Sequence, residues 1–231
     1  MTEYRTNKPG YTGHRKRVKE KYVSSGIAGW LDYEVLELAL SYCIPRRDTK
    51  PIAKRLLAKF KTVNAVLDAD KKELMEIGGI STHAAVFLGL LKDICILYAK
   101  NGLQEKNLIT SPELVYDYLK VSLKGAVNEE LKIFFLNSRN QLIEVESFES
   151  GTVDRSVVYP RKVVERALYN HAVSVIIAHN HPSGALQPSQ DDRDVTKAIR
   201  EALGTVDIAL LDHIIIGNND YYSFKSNGIE I

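Results

Sequence analysis

Apolar positions recur at helical spacing through the first hundred residues and then gather into short, β-branched runs. Leu31–Tyr42 keeps its apolar residues three and four apart, which predicts an amphipathic helix. Asp48 and Thr49 can cap a second helix that takes Pro51 in its first turn and runs to Phe60. Lys71–Ile77 predicts a short helix, Gly78-Gly79 a turn, and His83–Tyr98 a long apolar helix. Trp30, Leu31 and the Tyr33–Tyr42 stripe read as core rather than as a binding platform. The pattern breaks over residues 100–110, Lys-Asn-Gly-Leu-Gln-Glu-Lys-Asn-Leu-Ile-Thr. Beyond the break, Ser111 is the expected N-cap of a helix from Pro112 toward Leu123. Leu131–Leu136 and Leu142–Phe148, joined by Ser138-Arg139-Asn140, predict a β-hairpin. A helix over Pro160–Asn170, a strand over Val173–Ala178, a helix over Ser189–Leu203 and a strand over Asp207–Ile216 follow. Asn218-Asn219-Asp220 predicts a turn and Tyr221–Phe224 a last strand. The order predicts an α+β chain: a small all-α domain over residues 1–103, then a mixed sheet sandwiched by helices over 104–231.

Charge sharpens the division. Residues 1–103 carry 18 Lys+Arg against 11 Asp+Glu, and residues 104–231 carry 13 against 18. The +7 half reads either as a solvated basic face or as a phosphate-backbone footprint. Cys43 and Cys95 are the only cysteines. Without Cys-x2-Cys there is neither a zinc ribbon nor a Pro-Cys-x2-Cys deaminase site, and two cysteines make no disulfide framework. Met1–Lys21 is polar and basic, which predicts no signal peptide. The hydrophobic pattern predicts no run of transmembrane length. Together these give the expectation of a cytoplasmic protein with no membrane partner.

Residues 178–192, Ala-His-Asn-His-Pro-Ser-Gly-Ala-Leu-Gln-Pro-Ser-Gln-Asp-Asp, carry the chemistry. His179 and His181 lie two apart at the end of a predicted buried strand, where residues i and i+2 share a face. Asp192 follows a Pro-Ser-Gly turn and a Pro-Ser helix start. Two His and one carboxylate form a known catalytic zinc set that leaves a fourth position for water. Ser189-x2-Asp192 also reads as a helix capping box, and the two readings of that pair compete for the carboxylate. His14 and His83 read as surface or packing residues rather than ligands.

The spacing His179-x-His181-x7-Ser189-x2-Asp192 resembles the JAMM (MPN+) metallopeptidase motif, and the wording His-Asn-His-Pro-Ser-Gly through Pro-Ser-x2-Asp resembles the bacterial RadC (UPF0758) family. Gly151-Thr152, Tyr159-Pro-Arg161 and Leu211-Asp-His213 also look like words of that family, while Lys162 departs from the Glu expected after Pro-Arg. The resemblance implies a JAMM/MPN-type zinc-hydrolase domain, with Zn²⁺ held by His179, His181 and Asp192. It implies a general base just before the first sheet strand, where Asn128-Glu-Glu-Leu offers Glu129 and Glu130, and Glu129 aligns better. It implies Ser189 as the donor to an oxyanion. Asp212 and His213 read either as supports of the site or as ordinary strand-end contacts. Leu74–Ala85 resembles a helix-hairpin-helix segment with Ser81 in place of the usual second hairpin glycine, and Gly13–Lys21 looks like the family's basic start. A plain αα-hairpin fits the same residues.

The leading expectation is a zinc-dependent hydrolase of peptide or isopeptide bonds. The alternative is a DNA-associated protein, linked to repair by the family's name, that binds DNA through residues 1–103 and keeps a zinc site that is structural or acts elsewhere. A metal-dependent nuclease fits less well, because nuclease sites favour carboxylate-rich Mg²⁺ coordination or two metals.

Overall fold

The computed structural model describes residues 13–104, 106–108, 112–123, 126, 128–149, 159–217 and 220–229. The chain divides into two compact units, one up to Asp93 and one from Ile94 onward.

The regular elements described in the first unit are all helical: α1 (His14–Ser25), α2 (Asp32–Cys43), α3 (Lys50–Phe60), α4 (Val63–Asp68), α5 (Lys71–Met75) and the start of α6 (Thr82–Asn101). Leu36, Leu40 and Cys43 recur on one side of α2 and meet Ile52 and Leu56 of α3, Leu74 of α5 and Leu88 of α6 in one core. Tyr42 and Leu31 are off that stripe. They are 64% and 60% exposed, so they are not the core residues that composition suggests. At α3 the expected caps divide their work. Asp48 Oδ1 accepts the Lys50 N–H at 3.0 Å, whereas the Thr49 hydroxyl donates to the Glu37 carbonyl at 3.0 Å. Helix α4 has no predicted counterpart. Six residues are too short for a periodic pattern, and its one local signal is Thr62, whose hydroxyl accepts the Ala65 N–H at 3.1 Å.

The α5–α6 hairpin is set by two residues. Gly79 has φ 101°, a backbone conformation that favours glycine, and a Cβ there would press on Ile52 Cδ1 at 2.9 Å. Ser81 accepts the Ala84 N–H at 3.4 Å and starts α6. Helix α6 has 20 residues with a mean hydropathy of 1.4 over its most apolar window. By length and composition it could cross a membrane, which corrects the expectation that no run approaches that length. Ala84, Ala85 and Leu88 are buried in the first core, but only 17% of that window is buried. The division between units falls within this helix, upstream of the composition break at residue 103, because Ile96 and Ala99 pack on the second unit's core.

The second unit contains α7 (Pro112–Leu123), β1 (Glu130–Leu136), β2 (Leu142–Glu149), α8 (Pro160–Tyr169), β3 (Ser174–Asn180), α9 (Gln190–Gly204), β4 (Ala209–Ile216) and β5 (Tyr221–Ser223). Ser111, Gly151-Thr152 and Asn218-Asn219 lie outside the described residues. The sheet order is β2-β1-β3-β4-β5, with only β3–β4 parallel among its pairs. That parallel pair needs a crossover, which α9 supplies.

Strand alternation assigns two cores. Phe134, Leu136, Ile176, Ala178, Ile214 and Ile216 face α7. Ile133, Phe135, Val175, Ile177 and Leu210 face the side of α8 and α9, with Val163, Ala167, Ile199 and Leu203. The result is an α+β unit with helices on both faces of a mixed sheet. His179 and His213 keep step with Val175/Ile177 and Ile215 respectively, so both turn toward the α9 face.

Candidate metal centre

The site forms where the ends of β1 and β3 meet the first turn of α9. In the β1–β3 register Leu131 pairs with His179, which sets Glu129, just before β1, beside the end of β3. Asn180 fixes that neighbour. Its Oδ1 accepts the Glu130 N–H at 2.9 Å, and its Nδ2 donates to the Asn128 carbonyl at 3.1 Å. One buried side chain therefore holds the backbone on both sides of Glu129.

After Asn180 the chain turns at His181-Pro182-Ser183-Gly184, closed by the Gly184 N–H donating to the His181 carbonyl at 2.8 Å. Pro182 sits at the second turn position, and Gly184 takes φ 78°. The loop then passes against Gly217. A Cβ there would meet Leu186 Cδ2 at 2.6 Å and the Gly184 carbonyl at 2.7 Å, so only hydrogen fits. The His181 N–H still donates to the Ile216 carbonyl at 3.0 Å, and the turn then leads the chain to Ser189, the N-cap of α9.

Four ligand atoms converge there, all within 4.8 Å of one another: one each from Glu129, His179, His181 and Asp192. His179 Nε2 lies 2.9 Å from His181 Nε2, 3.2 Å from Asp192 Oδ1 and 3.4 Å from Glu129 Oε1. His181 Nε2 lies 3.5 Å from Asp192 Oδ2. The far nitrogens are occupied: His179 Nδ1 is 2.8 Å from His213 Nε2, and His181 Nδ1 is 2.8 Å from the Ala185 carbonyl. A carbonyl only accepts, so His181 carries its proton on Nδ1 and turns the Nε2 lone pair inward. The cluster is graded in access. The His179 side chain is 3% exposed, Asp192 11%, His181 15% and Glu129 36%.

Asp192 serves two purposes at once. Its Oδ2 accepts the Ser189 N–H at 2.7 Å and the Ser189 hydroxyl at 2.6 Å, while Oδ1 faces His179. The Asp192 N–H donates to Ser189 Oγ at 3.1 Å, completing the capping box. The capping and ligand readings of this pair thus coexist, because a carboxylate has two oxygens. Burial pushes the Asp192 carboxyl up, but the adjacent His179 imidazole and the hydrogen bonds from Ser189 outweigh it and hold the group well below its ordinary range. His213 is held well below the usual histidine range, first by complete burial and then by the neighbouring His179. It is therefore neutral.

The structure brings Glu129, His179, His181 and Asp192 together and places Ser189 directly on Asp192. Glu130, the alternative at the strand entry, pairs within the sheet opposite Glu149. Asp212 points to other partners, accepting from the Ser223 hydroxyl at 2.6 Å and the Lys225 N–H at 3.1 Å. His14 lies in the first unit, 2.5 Å from the buried carboxylate of Glu37. Two residues around the centre escape the sequence reading, Asn180 and Thr196. Asn180 stands between the two histidines of the motif and was visible there. Thr196 follows Asp192 by one helical turn, a spacing that is informative only once α9 is known to lie on the sheet.

Residues 109–229 match the RadC-like JAB domain family. A UPF0758 protein of Fusobacterium nucleatum subsp. nucleatum is 40% identical over 224 residues, covering 94% of this chain and 97% of the relative. A UPF0758 protein of Ruegeria pomeroyi is 39% identical over 215 residues, covering 93% of this chain and 96% of the relative. With this match falling on the unit that carries the His179–His181–Asp192 cluster, the chain belongs to the RadC-like JAB domain family.

Proposed function

We propose that the protein is a zinc-dependent hydrolase of peptide or isopeptide bonds, working in the manner of JAMM metallopeptidases. The observation that carries this reading is the convergence of two imidazole nitrogens and an aspartate oxygen, with one further carboxylate at the mouth. A tetrahedral zinc with bonds of about 2.0–2.1 Å has ligand–ligand edges of about 3.3 Å. The His179–His181, His179–Asp192 and His181–Asp192 separations of 2.9, 3.2 and 3.5 Å suit that size. The set is nitrogen and oxygen only, with no thiolate, as in catalytic rather than structural zinc sites.

His179, His181 and Asp192 would hold the ion. When bound, zinc supplies Lewis acidity toward a carbonyl and lowers the pKa of water. Glu129 is the most exposed of the four groups and stands where substrate would enter. As general base it takes the proton of the attacking water and passes it to the leaving amine. The Ser189 hydroxyl turns from Asp192 Oδ2 to donate to the developing oxyanion. The test is hydrolysis of a proteome-derived peptide mixture by zinc-loaded protein and by Glu129→Gln. The wild type should cut and the variant should be slower by roughly 10²–10⁴-fold. Equal rates in a zinc-dependent cleavage would reject Glu129 as base.

A second reading concerns the first unit, favoured by the Gly78-Gly79 hairpin leading into α6 on a chain segment rich in Lys and Arg. We propose that this hairpin contacts nucleic-acid phosphates through backbone N–H groups and nearby basic side chains. The two free cysteines accord with a reducing cytoplasm.

A further inference from the structure

Behind the metal centre, two buried side chains, His213 and Thr196, link His179 to Asp192 by hydrogen bonds, and the 3.2 Å contact of His179 Nε2 with Asp192 Oδ1 closes the ring. His179 Nδ1 lies 2.8 Å from His213 Nε2. His213 Nδ1 lies 2.6 Å from the Thr196 hydroxyl. Thr196 Oγ1 lies 2.5 Å from the backbone carbonyl of Asp192, one turn back along α9. His179, His213 and Thr196 are 2%, 1% and 3% exposed, so water does not compete with these bonds. The ring planes of His213 and Phe224 stack with centroids 4.7 Å apart and 21° between planes, which fixes the imidazole's orientation.

The protons in this ring can run in one direction. A carbonyl oxygen cannot donate, so the Thr196 hydroxyl gives its single proton to Asp192. Its lone pair is then left for His213, which must carry its proton on Nδ1. A neutral imidazole with Nδ1–H has only a lone pair on Nε2. His179 must therefore donate from Nδ1, and its own Nε2 presents a lone pair to the cluster. We infer that Thr196 and His213 are positioning residues: starting from the Asp192 carbonyl, they set the tautomer of His179 and tie that ligand to α9, the helix that carries Asp192. The inference rests on the metal-centre reading proposed above. It adds that metal affinity depends on a threonine that touches no ligand side chain.

Thr196→Val keeps the shape and removes the hydroxyl, and Thr196→Ser restores it. In Thr196→Val the His213 proton has no acceptor at Nδ1 and moves to Nε2, where it opposes the Nδ1–H of His179. Two readouts separate this inference from the proposed activity. The first is the tautomeric state of His179 and His213 in the metal-free full-length protein, read by ¹⁵N NMR of the imidazoles. The second is zinc affinity by chelator competition. Wild type and Thr196→Ser should show both histidines as Nδ1–H, and Thr196→Val should lose that state at His213. Zinc affinity in Thr196→Val should fall by about 10–100-fold, as for loss of other partners that orient a ligand, and recover in Thr196→Ser. Wild-type His213 protonated at Nε2 would overturn the inference, whatever the protein hydrolyses. So would unchanged tautomers and affinity in Thr196→Val, or a Thr196→Ser variant as impaired as Thr196→Val.

Discussion

Zinc added to the metal-free protein should raise its melting temperature, and the four-donor cluster dictates which variants lose the effect. The perturbation is a set of three proteins: wild type, His179→Ala/His181→Ala, and Glu129→Gln. Free zinc at about 100 times its dissociation constant stabilises a folded state that alone binds it by about 2.7 kcal/mol. For a chain of 231 residues, a kilocalorie is worth about 2–4 °C, so the wild type should shift by about 5–11 °C. The double variant removes both nitrogen donors and leaves two carboxylates, and its shift should vanish. Glu129→Gln should keep most of the shift, because Glu129 is the most exposed of the four groups and His179, His181 and Asp192 remain as the proposed ligands. The assay is differential scanning fluorimetry across a zinc titration in a metal-buffered solution. A full shift in the double variant would place the zinc elsewhere and refute the assignment. A shift abolished in Glu129→Gln would make Glu129 a ligand and remove it as the base.

Glu130→Gln should leave hydrolysis and zinc affinity near wild type, since Glu130 belongs to the sheet ladder rather than the cluster. If it is the inactive variant instead, the base has been misassigned by one residue. Asn180→Ala unseats the segment before β1 and leaves the Glu130 N–H and Asn128 carbonyl unpaired. It should cost about 1–3 kcal/mol by urea unfolding and slow turnover more than it weakens zinc binding. Ser189→Ala removes both the cap of α9 and the proposed oxyanion donor. The expected losses are about 0.5–2 kcal/mol in stability and roughly 10²–10³ in kcat, and a kcat unchanged within twofold would refute the second role. Burial pushes the Asp212 carboxyl above its ordinary range, despite bonds from Ser223, Lys225 and His213. A raised folded value means that this group's stabilising contribution is complete below its unfolded pKa of about 3.9 and is lost as pH rises through the folded value. The stability of wild type relative to Asp212→Asn should therefore decline as pH rises from about 4, and a difference that grows with pH would contradict it.

Much of this protein could be read from local pattern. The strand Ser174–Asn180 is apolar and β-branched because it is covered on both faces, and burial of that kind leaves a continuous hydrophobic run in the sequence. The pair His179 and His181 announced a shared direction through the period of two, and Asp192 through its place in the first turn of a helix with a Ser cap. These are short-range regularities, and a single chain carries them. Leu31 and Tyr42 misled because helical spacing marks a stripe but not its edges. Helix α4 was silent because six residues make less than two turns. What the sequence could not decide was long-range. The choice of Glu129 over Glu130 as the cluster's fourth group depends on the β1–β3 register, in which a slip of one residue would turn the other carboxylate inward. Asn180's hold on that segment, and the ring from His179 through His213 and Thr196 to Asp192, join residues far apart in sequence. They meet only because α9 crosses over the parallel pair β3–β4 and lies on the face where both histidines point. Tertiary packing made that choice, since the apolar faces of the sheet and of α9 could be buried together in that arrangement.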